Sequence, residues 1–223
     1  FAHWLFGMFR SDPDSKRHNG LTFILVPLDT PGITVRPIEK LNNKKAFAEV
    51  FFDDVRVPIE NQLGDEGKGW EVAMATAGFE RGLMLRSPAR FQDTARKLVN
   101  LYKKTVASGA FVAPELRRTV AQCWMDAEAY TLNTYQTVSR LMAGGKIGAE
   151  ASLNKIFWSE LDTKMHETAL KLLGYRAELL AGSSEAGDVG EWLDGYIFAL
   201  AGPIYAGTNE IQRNIIAERI LGM

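Results

Sequence analysis

The chain has 223 residues, 46% of them hydrophobic and 24% charged, and its formal net charge is −1. That is enough apolar material to bury a core in one or two domains. The interspersed charges supply neither the basic stripe of a nucleic-acid binder nor an acidic tail. Cys123 is the only cysteine, so neither an intramolecular disulfide nor a thiolate zinc cluster can form. No apolar run approaches the ~20 residues of a bilayer span, and the composition reads as a soluble protein without a metal site, cytoplasmic of bacterial type or, as the alternative, of the mitochondrial matrix.

The chain opens Phe1-Ala2-His3-Trp4, with no initiator Met and no targeting segment. Trp4–Arg10 already reads as a strand, and a sequence that starts inside an element reads as part of something longer. Further strands are predicted over Leu21–Pro27, 33–38 and 47–55. Turn chemistry separates them: Ser11-Asp12-Pro13-Asp14, then Asp29-Thr30-Pro31-Gly32, then Asn42-Asn43. The run Leu21-Thr22-Phe23-Ile24-Leu25-Val26 is rich in β-branched and aromatic residues, as a buried strand should be. Four such strands make only a partial sheet.

From Gly67 onward the period is helical. Residues 70–104 read as one long helix kinked at Pro88, whose ring removes a hydrogen bond. Residues 115–143 carry a stripe of Leu116, Val120, Trp124, Ala127, Thr131, Val138 and Met142. Residues 153–173 carry Leu153, Phe157, Leu161, Met165 and Leu172. Gly144-Gly145 separates the two, and short helices are expected over 189–200 and 209–221. Trp124 and Cys123 read as core, His166 as a packed or surface histidine, and 181–187 as a mobile loop. The fold class is therefore α+β: part of a sheet domain over 1–63, then an all-α helical bundle over 64–223.

Two stretches carry candidate chemistry. In Gly78-Phe79-Glu80-Arg81-Gly82, the helix-face neighbours of Glu80 are Thr76, Ala77, Leu83 and Met84, none of them a cation. A carboxylate in such surroundings is set to hold its proton more tightly and suits a proton-abstracting base; a solvated surface Glu is the competing reading. The second stretch is Tyr205-Ala206-Gly207-Thr208-Asn209-Glu210, a Gly-containing turn feeding a helix with Thr208 as N-cap. Exposed N–H groups at such a start suit a phosphate, although most capped helices bind nothing.

This last run resembles the C-terminal signature of the acyl-CoA dehydrogenases. Phe51-Phe52-Asp53-Asp54-Val55-Arg56-Val57-Pro58, then Asn61-Gln62-Leu63-Gly64 and Gly67-Lys68-Gly69-Trp70, resembles the segment leaving that family's middle β domain, and Asp29-Thr30-Pro31-Gly32-Ile33 an earlier connection in it. The ordered similarity covers essentially the whole chain. It makes the sheet domain over 1–63 part of a β-sandwich or barrel. It implies flavin-dependent α,β-dehydrogenation of an acyl-CoA thioester, with FAD as cofactor and an electron-transfer flavoprotein as electron acceptor. An oxygen-using acyl-CoA oxidase and a non-catalytic subunit that completes another chain's FAD site are the alternatives.

Many relatives carry the base in Tyr-Glu-Gly-Thr, where this chain has Ala206, which cannot accept a proton. A smaller set, isovaleryl- and long-chain-type enzymes among them, supplies it from the first long helix of the C-terminal domain, immediately before an Arg. That position is Glu80, followed by Arg81. The resemblance thus implies Glu80 as catalytic base and Arg81 as a substrate-side residue, a surface salt bridge being the competing role. It also implies Gly207, Thr208 and Glu210 as FAD contacts. Two departures stand out. Relatives' Arg-x-x-Phe-Gly segment, which reaches a neighbouring subunit's FAD, corresponds to Lys103-Lys104-Thr105-Val106-Ala107-Ser108-Gly109. Their Gln-x-x-Gly-Gly-x-Gly stretch corresponds to Lys171-Leu172-Leu173-Gly174-Tyr175-Arg176. A homotetramer, or an α2β2 heterotetramer in which two different chains share the cofactor work, is the implied assembly.

Overall fold

In the computed structural model the backbone is described for residues 2–83, 87–145, 148–149, 151–187 and 189–223, and side chains for the same residues except 77–83. The chain divides into two compact units, Phe1–Glu80 and Arg81–Met223.

The first unit is built on two small antiparallel sheets. Strand β1 (Trp4–Arg10) pairs along its whole length with β2 (Leu21–Pro27), and the two-residue strand β5 (Gln62–Leu63) pairs with β2 on the other side. Strand β2 is therefore central, which is why Thr22, Phe23 and Val26 are buried. Its apolar run matched the sequence expectation; β5 is too short to leave a periodic signal. Strands β3 (Ile33–Glu39) and β4 (Lys45–Phe52) form a hairpin whose register shifts at Ile38/Glu39. The fourth strand thus starts two residues earlier and ends three earlier than the 47–55 expected. Residues beyond Phe52 leave the ladder where Asp54 adopts a left-handed φ of 46°, a conformation strands cannot use. The unit closes on the start of helix α1 (Gly69–Leu83). A Cβ at Gly69 would lie 2.6 Å from the Phe23 amide nitrogen, so only glycine lets the helix begin this close to β2.

The expected 70–104 helix is two helices. Pro88 is the first residue of α2 (Pro88–Ala107), preceded by Ser87 in extended conformation (φ −49°, ψ 118°). Proline fits the first turn, where its missing N–H has no partner to lose, and it disfavours helical backbone in the residue before it. Three further helices surround α4 (Ala151–Leu173): α3 (Pro114–Met142), α5 (Gly190–Ala199) and α6 (Asn209–Ile216), with a π-helical turn over Ala217–Leu221. Helix α4 packs against α2, α3, α5 and α6. The core comprises Phe91, Ala95 and Leu98 of α2, Val120, Cys123, Ala127 and Tyr130 of α3, and Trp158, Leu161, Met165, Ala169 and Leu172 of α4. Phe91 meets Tyr130 edge to face at 5.1 Å, a geometry that adds about 1 kcal/mol beyond burial. Burial pushes the Cys123 thiol up to about 11.

The buried face of α3 keeps only part of the stripe hydropathy selects: Val120, Ala127 and Thr131 are buried as expected. Trp124, Val138 and Met142 are exposed, while Thr131, Thr134 and Thr137 are buried. Each of these threonines donates its hydroxyl to the carbonyl four residues earlier, at 2.8, 2.8 and 3.0 Å. With the hydroxyl satisfied on its own helix, a threonine offers its methyl to the core. On α4, Leu153 and Phe157 are likewise exposed, whereas Lys155, Asp162 and His166 are buried. A helix with neighbours on most sides must bury polar positions too, and a single-stripe reading cannot anticipate them. Residues 181–187, expected to be mobile, form successive turns (Ser183 N–H to Leu180 O, Ala186 N–H to Ser183 O) that bury Ala186 completely.

His166 Nδ1 lies 2.8 Å from the Asp162 carbonyl and 3.4 Å from its carboxylate, whose other oxygen takes Arg90 Nη2 at 2.6 Å. The far edge of the ring faces α5: a Cβ at Gly195 would sit 2.4 Å from His166 Nε2. Gly195→Ala is therefore expected to destabilise the helical unit by about 1–3 kcal/mol, because the imidazole cannot move without disturbing Asp162. Adding His166→Ala should recover most of the loss, measured as denaturation midpoints of the single and double variants.

Candidate functional site

The 204–213 segment is the best-defined candidate surface. Ala206 and Gly207 both take left-handed backbone (φ 56° and 83°). A left-handed Ala costs about 1 kcal/mol or more, so something must hold it. Gln212, itself only 5% exposed, donates from Nε2 to the Ala206 and Gly207 carbonyls at 3.3 and 3.4 Å. A Cβ at Gly207 would lie 2.6 Å from that same nitrogen. Thr208 caps α6 as its sequence position suggested, its hydroxyl accepting from the Ile211 N–H at 3.3 Å. Among the described residues the Gly207 and Thr208 N–H groups have no acceptor, while the Asn209 N–H is taken by the Pro203 carbonyl. The Glu210 carboxyl is held below its ordinary range by its own backbone N–H and the Thr208 hydroxyl. Two free amides, a positive helix end and a residue with no Cβ suit an anionic group such as a pyrophosphate.

The second candidate is a cleft of about 900 Å³ between the C-terminal halves of α2 and α4 and the start of α5. Both stretches that depart from the family pattern line it: Lys103, Lys104 and Ser108 from one, Tyr175 and Arg176 from the other. Lys97 and His166 also reach it. The cleft is thus rich in cationic side chains and ringed by Leu173, Tyr175 and Trp192. Sequence reading treated the two stretches separately; only the packing of α2 on α4 joins them.

Glu80 and Arg81 lie on helix α1, with α-helical backbone and side chains outside the described residues. Helix formation at this point agrees with the sequence reading. His166, read as packed or at a helix surface, is packed. Among the described residues no three His, Cys, Asp or Glu side chains are grouped to hold a metal, and no helix is long and apolar enough to cross a membrane. Sequence reasoning missed three buried residues: Gln212, which bonds the Ala206 and Gly207 carbonyls, Asn209, and Lys155, which bonds Asn209. The available signal was polar side chains at positions of α4 and α6 flanked by aromatic and aliphatic ones.

Comparison with known proteins agrees with this architecture. Residues 67–221 match the sequence model of the acyl-CoA dehydrogenase C-terminal domain. The acyl-CoA dehydrogenase IpdE1 of Mycolicibacterium smegmatis is 38% identical over 224 residues, covering 100% of this chain and 54% of that protein. A chain of the ChsE4–ChsE5 complex from Mycobacterium tuberculosis superposes with a TM-score of 0.82 at 26% identity, over 100% of this chain and 57% of its own. An acyl-CoA dehydrogenase from Geobacillus kaustophilus gives 0.77 at 27% identity, over 98% of this chain and 57% of its own. The chain spans about half the length of the curated relatives it matches. A helical unit of this topology, matched over residues 67–221 and preceded by the small β unit, places the chain in the acyl-CoA dehydrogenase family, a family of oxidoreductases.

Proposed function

We propose that the protein of which this chain forms part dehydrogenates an acyl-CoA thioester to its 2-enoyl-CoA, with FAD as cofactor. The observation that carries this reading is family membership over the whole chain, joined to a carboxylate at Glu80 and an Ala at the alternative base position, 206. Residues 1–63 are assigned to the end of the middle β domain and 64–223 to the C-terminal helical domain.

In this reading Glu80 removes the proton α to the thioester carbonyl, and Arg81 orients the carboxylate or the nearby thioester. FAD, when bound, supplies the hydride acceptor for the β-hydrogen. The 206–208 turn fits such a group: Gly207 brings backbone close without a Cβ, and the Gly207 and Thr208 amides offer donors to an anionic portion. Glu210 completes the cofactor contacts. The protein's tasks are placement and proton removal. Electrons leave to an electron-transfer flavoprotein.

The cationic cleft supports a cross-subunit role. Lys103, Lys104 and Arg176 replace the guanidinium and the glycine-rich stretch of most relatives with cations in a different arrangement. A lysine is a point charge without the guanidinium fork. This favours an α2β2 assembly with a second, different chain over a homotetramer. One structural neighbour, ChsE4–ChsE5, is a complex of two named chains.

The full-length protein, purified with whatever chain accompanies it, provides the test. Anaerobic addition of saturated acyl-CoA thioesters should bleach the visible flavin band and yield the enoyl product. Failure of a panel of straight-chain, branched and steroid side-chain thioesters to do so would refute the reading. Peroxide release in air would redirect it to an oxidase, and absence of FAD from this chain in a two-chain complex to a non-catalytic subunit.

A further inference from the structure

Helix α4 carries a charge where a core helix ordinarily carries none. Lys155 has 0% exposure, and its Nζ donates to Asn209 Oδ1 at 2.7 Å. Among the described residues no carboxylate lies within ion-pair distance of this ammonium. Burial pulls its pKa below the ordinary lysine value, and Glu210 and Glu160 oppose the shift only through their field. A buried ammonium is costly, and an apolar side chain of similar volume at such a place commonly leaves a protein as stable or more so. Stability alone does not account for Lys155.

The orientation of Asn209 does. An ammonium can only donate, so it fixes the carboxamide with Oδ1 toward Lys155 and Nδ2 toward Ser159 Oγ (3.2 Å) and Glu160 Oε1 (3.4 Å). Asn209 is 3% exposed and is the first residue of α6. Its side chain is thereby locked to α4 immediately after Gly207 and Thr208. Gln212 holds the same turn from within α6 by binding the Ala206 and Gly207 carbonyls. The two clamps act on a backbone whose left-handed Ala206 has no intrinsic preference for that conformation.

We propose that Lys155 is a positioning residue for FAD: through Asn209 it fixes the 206–208 turn in the conformation that presents its amides to the cofactor. This rests on the reading of that turn as a flavin contact. In the full-length protein, Lys155→Met and Asn209→Ala are expected to weaken FAD binding to the stripped enzyme at least tenfold. Amide exchange should rise at least tenfold across 204–212 and stay unchanged in α2 and α3. The visible circular dichroism of the bound flavin should change with them. The double variant should be no worse than either single one, because both remove one shared interaction. Arg118→Met, at an exposed cation of α3 paired with Glu115, should alter none of these. Unchanged exchange across the turn in both variants would overturn the proposal. Accelerated exchange with unaltered FAD affinity would show that Lys155 holds the turn but that the turn does not bear the flavin, overturning the flavin reading and the proposal with it. Should Asn209→Ala, which leaves the Lys155 ammonium of α4 buried without its acceptor, fail to fold, Lys155→Met carries the same test with the charge removed.

Discussion

Replacing Glu80 with Gln in the full-length enzyme is expected to lower kcat by about 10²–10⁴-fold, the range a positioned general base ordinarily contributes. The substitution keeps size and hydrogen-bonding capacity and removes only the group that accepts the proton. No residue at the alternative position can take over, because Ala206 carries no titratable atom. Helix α1 runs through this position and Gln has nearly the helix propensity of Glu, so the amide should leave the fold and FAD content intact. Since the lost interaction belongs to the transition state, kcat and kcat/KM should fall together, with KM changing little. Stopped-flow reduction of the flavin by acyl-CoA separates this step from the later electron transfer. Near-normal reduction in the Gln variant would remove Glu80 from the mechanism while leaving family membership untouched.

Trp158→Ala is expected to destabilise the helical unit by about 3–5 kcal/mol, among the largest losses a single core truncation gives. Trp158 is 1% exposed at the centre of α4. Its ring lies 6.2 Å from that of Phe91 on one side and 5.9 Å from that of Tyr205 on the other. A Cβ at Gly202 would meet it at 3.5 Å. Removing the indole leaves a cavity that helices α2 and α4 cannot close without losing the Phe91–Tyr130 contact. Tyr205 directly precedes the Ala206–Gly207 turn, so the same variant should also weaken FAD binding. Trp158→Phe, which keeps most of the ring volume, should lose roughly half as much stability or less. Thermal or denaturant unfolding gives the first effect, and FAD titration of the folded fraction the second. Equal midpoints for wild type and Trp158→Ala would show that the indole does not carry the core.

The two effects differ in how they were visible. The position of Glu80 before Arg81 and the Tyr205-Ala206-Gly207-Thr208 run are local strings, and a string survives intact in a linear reading. The central strand β2 was legible for a similar reason: a strand paired on both sides reads as an apolar, β-branched run even where, as at Leu25, one residue is exposed. The cap at Thr208 was legible because a capping side chain acts on amides two or three residues away. Pro88 reads as a kink inside one helix, whereas a new helix begins there; which of the two a proline does depends on the backbone before it, which the sequence leaves open.

Sequence alone therefore determined the family, the change from strands to helices near Gly64, the carboxylate at 80 and the helix start at 208, because each is written in neighbouring residues. Tertiary structure decided that Trp124, Val138 and Met142 stay outside the buried face of α3, while Thr134 and Thr137 join Thr131 in it with their hydroxyls bonded on their own helix. It decided that Lys103, Lys104 and Arg176 share one cleft, although some 70 residues of chain separate them, because α2 packs along α4. It also decided that Lys155 bonds Asn209, the residue that follows the turn at 206–208. A buried ammonium answers to a carboxamide 54 positions away, and no periodicity or spacing encodes a partner at that separation.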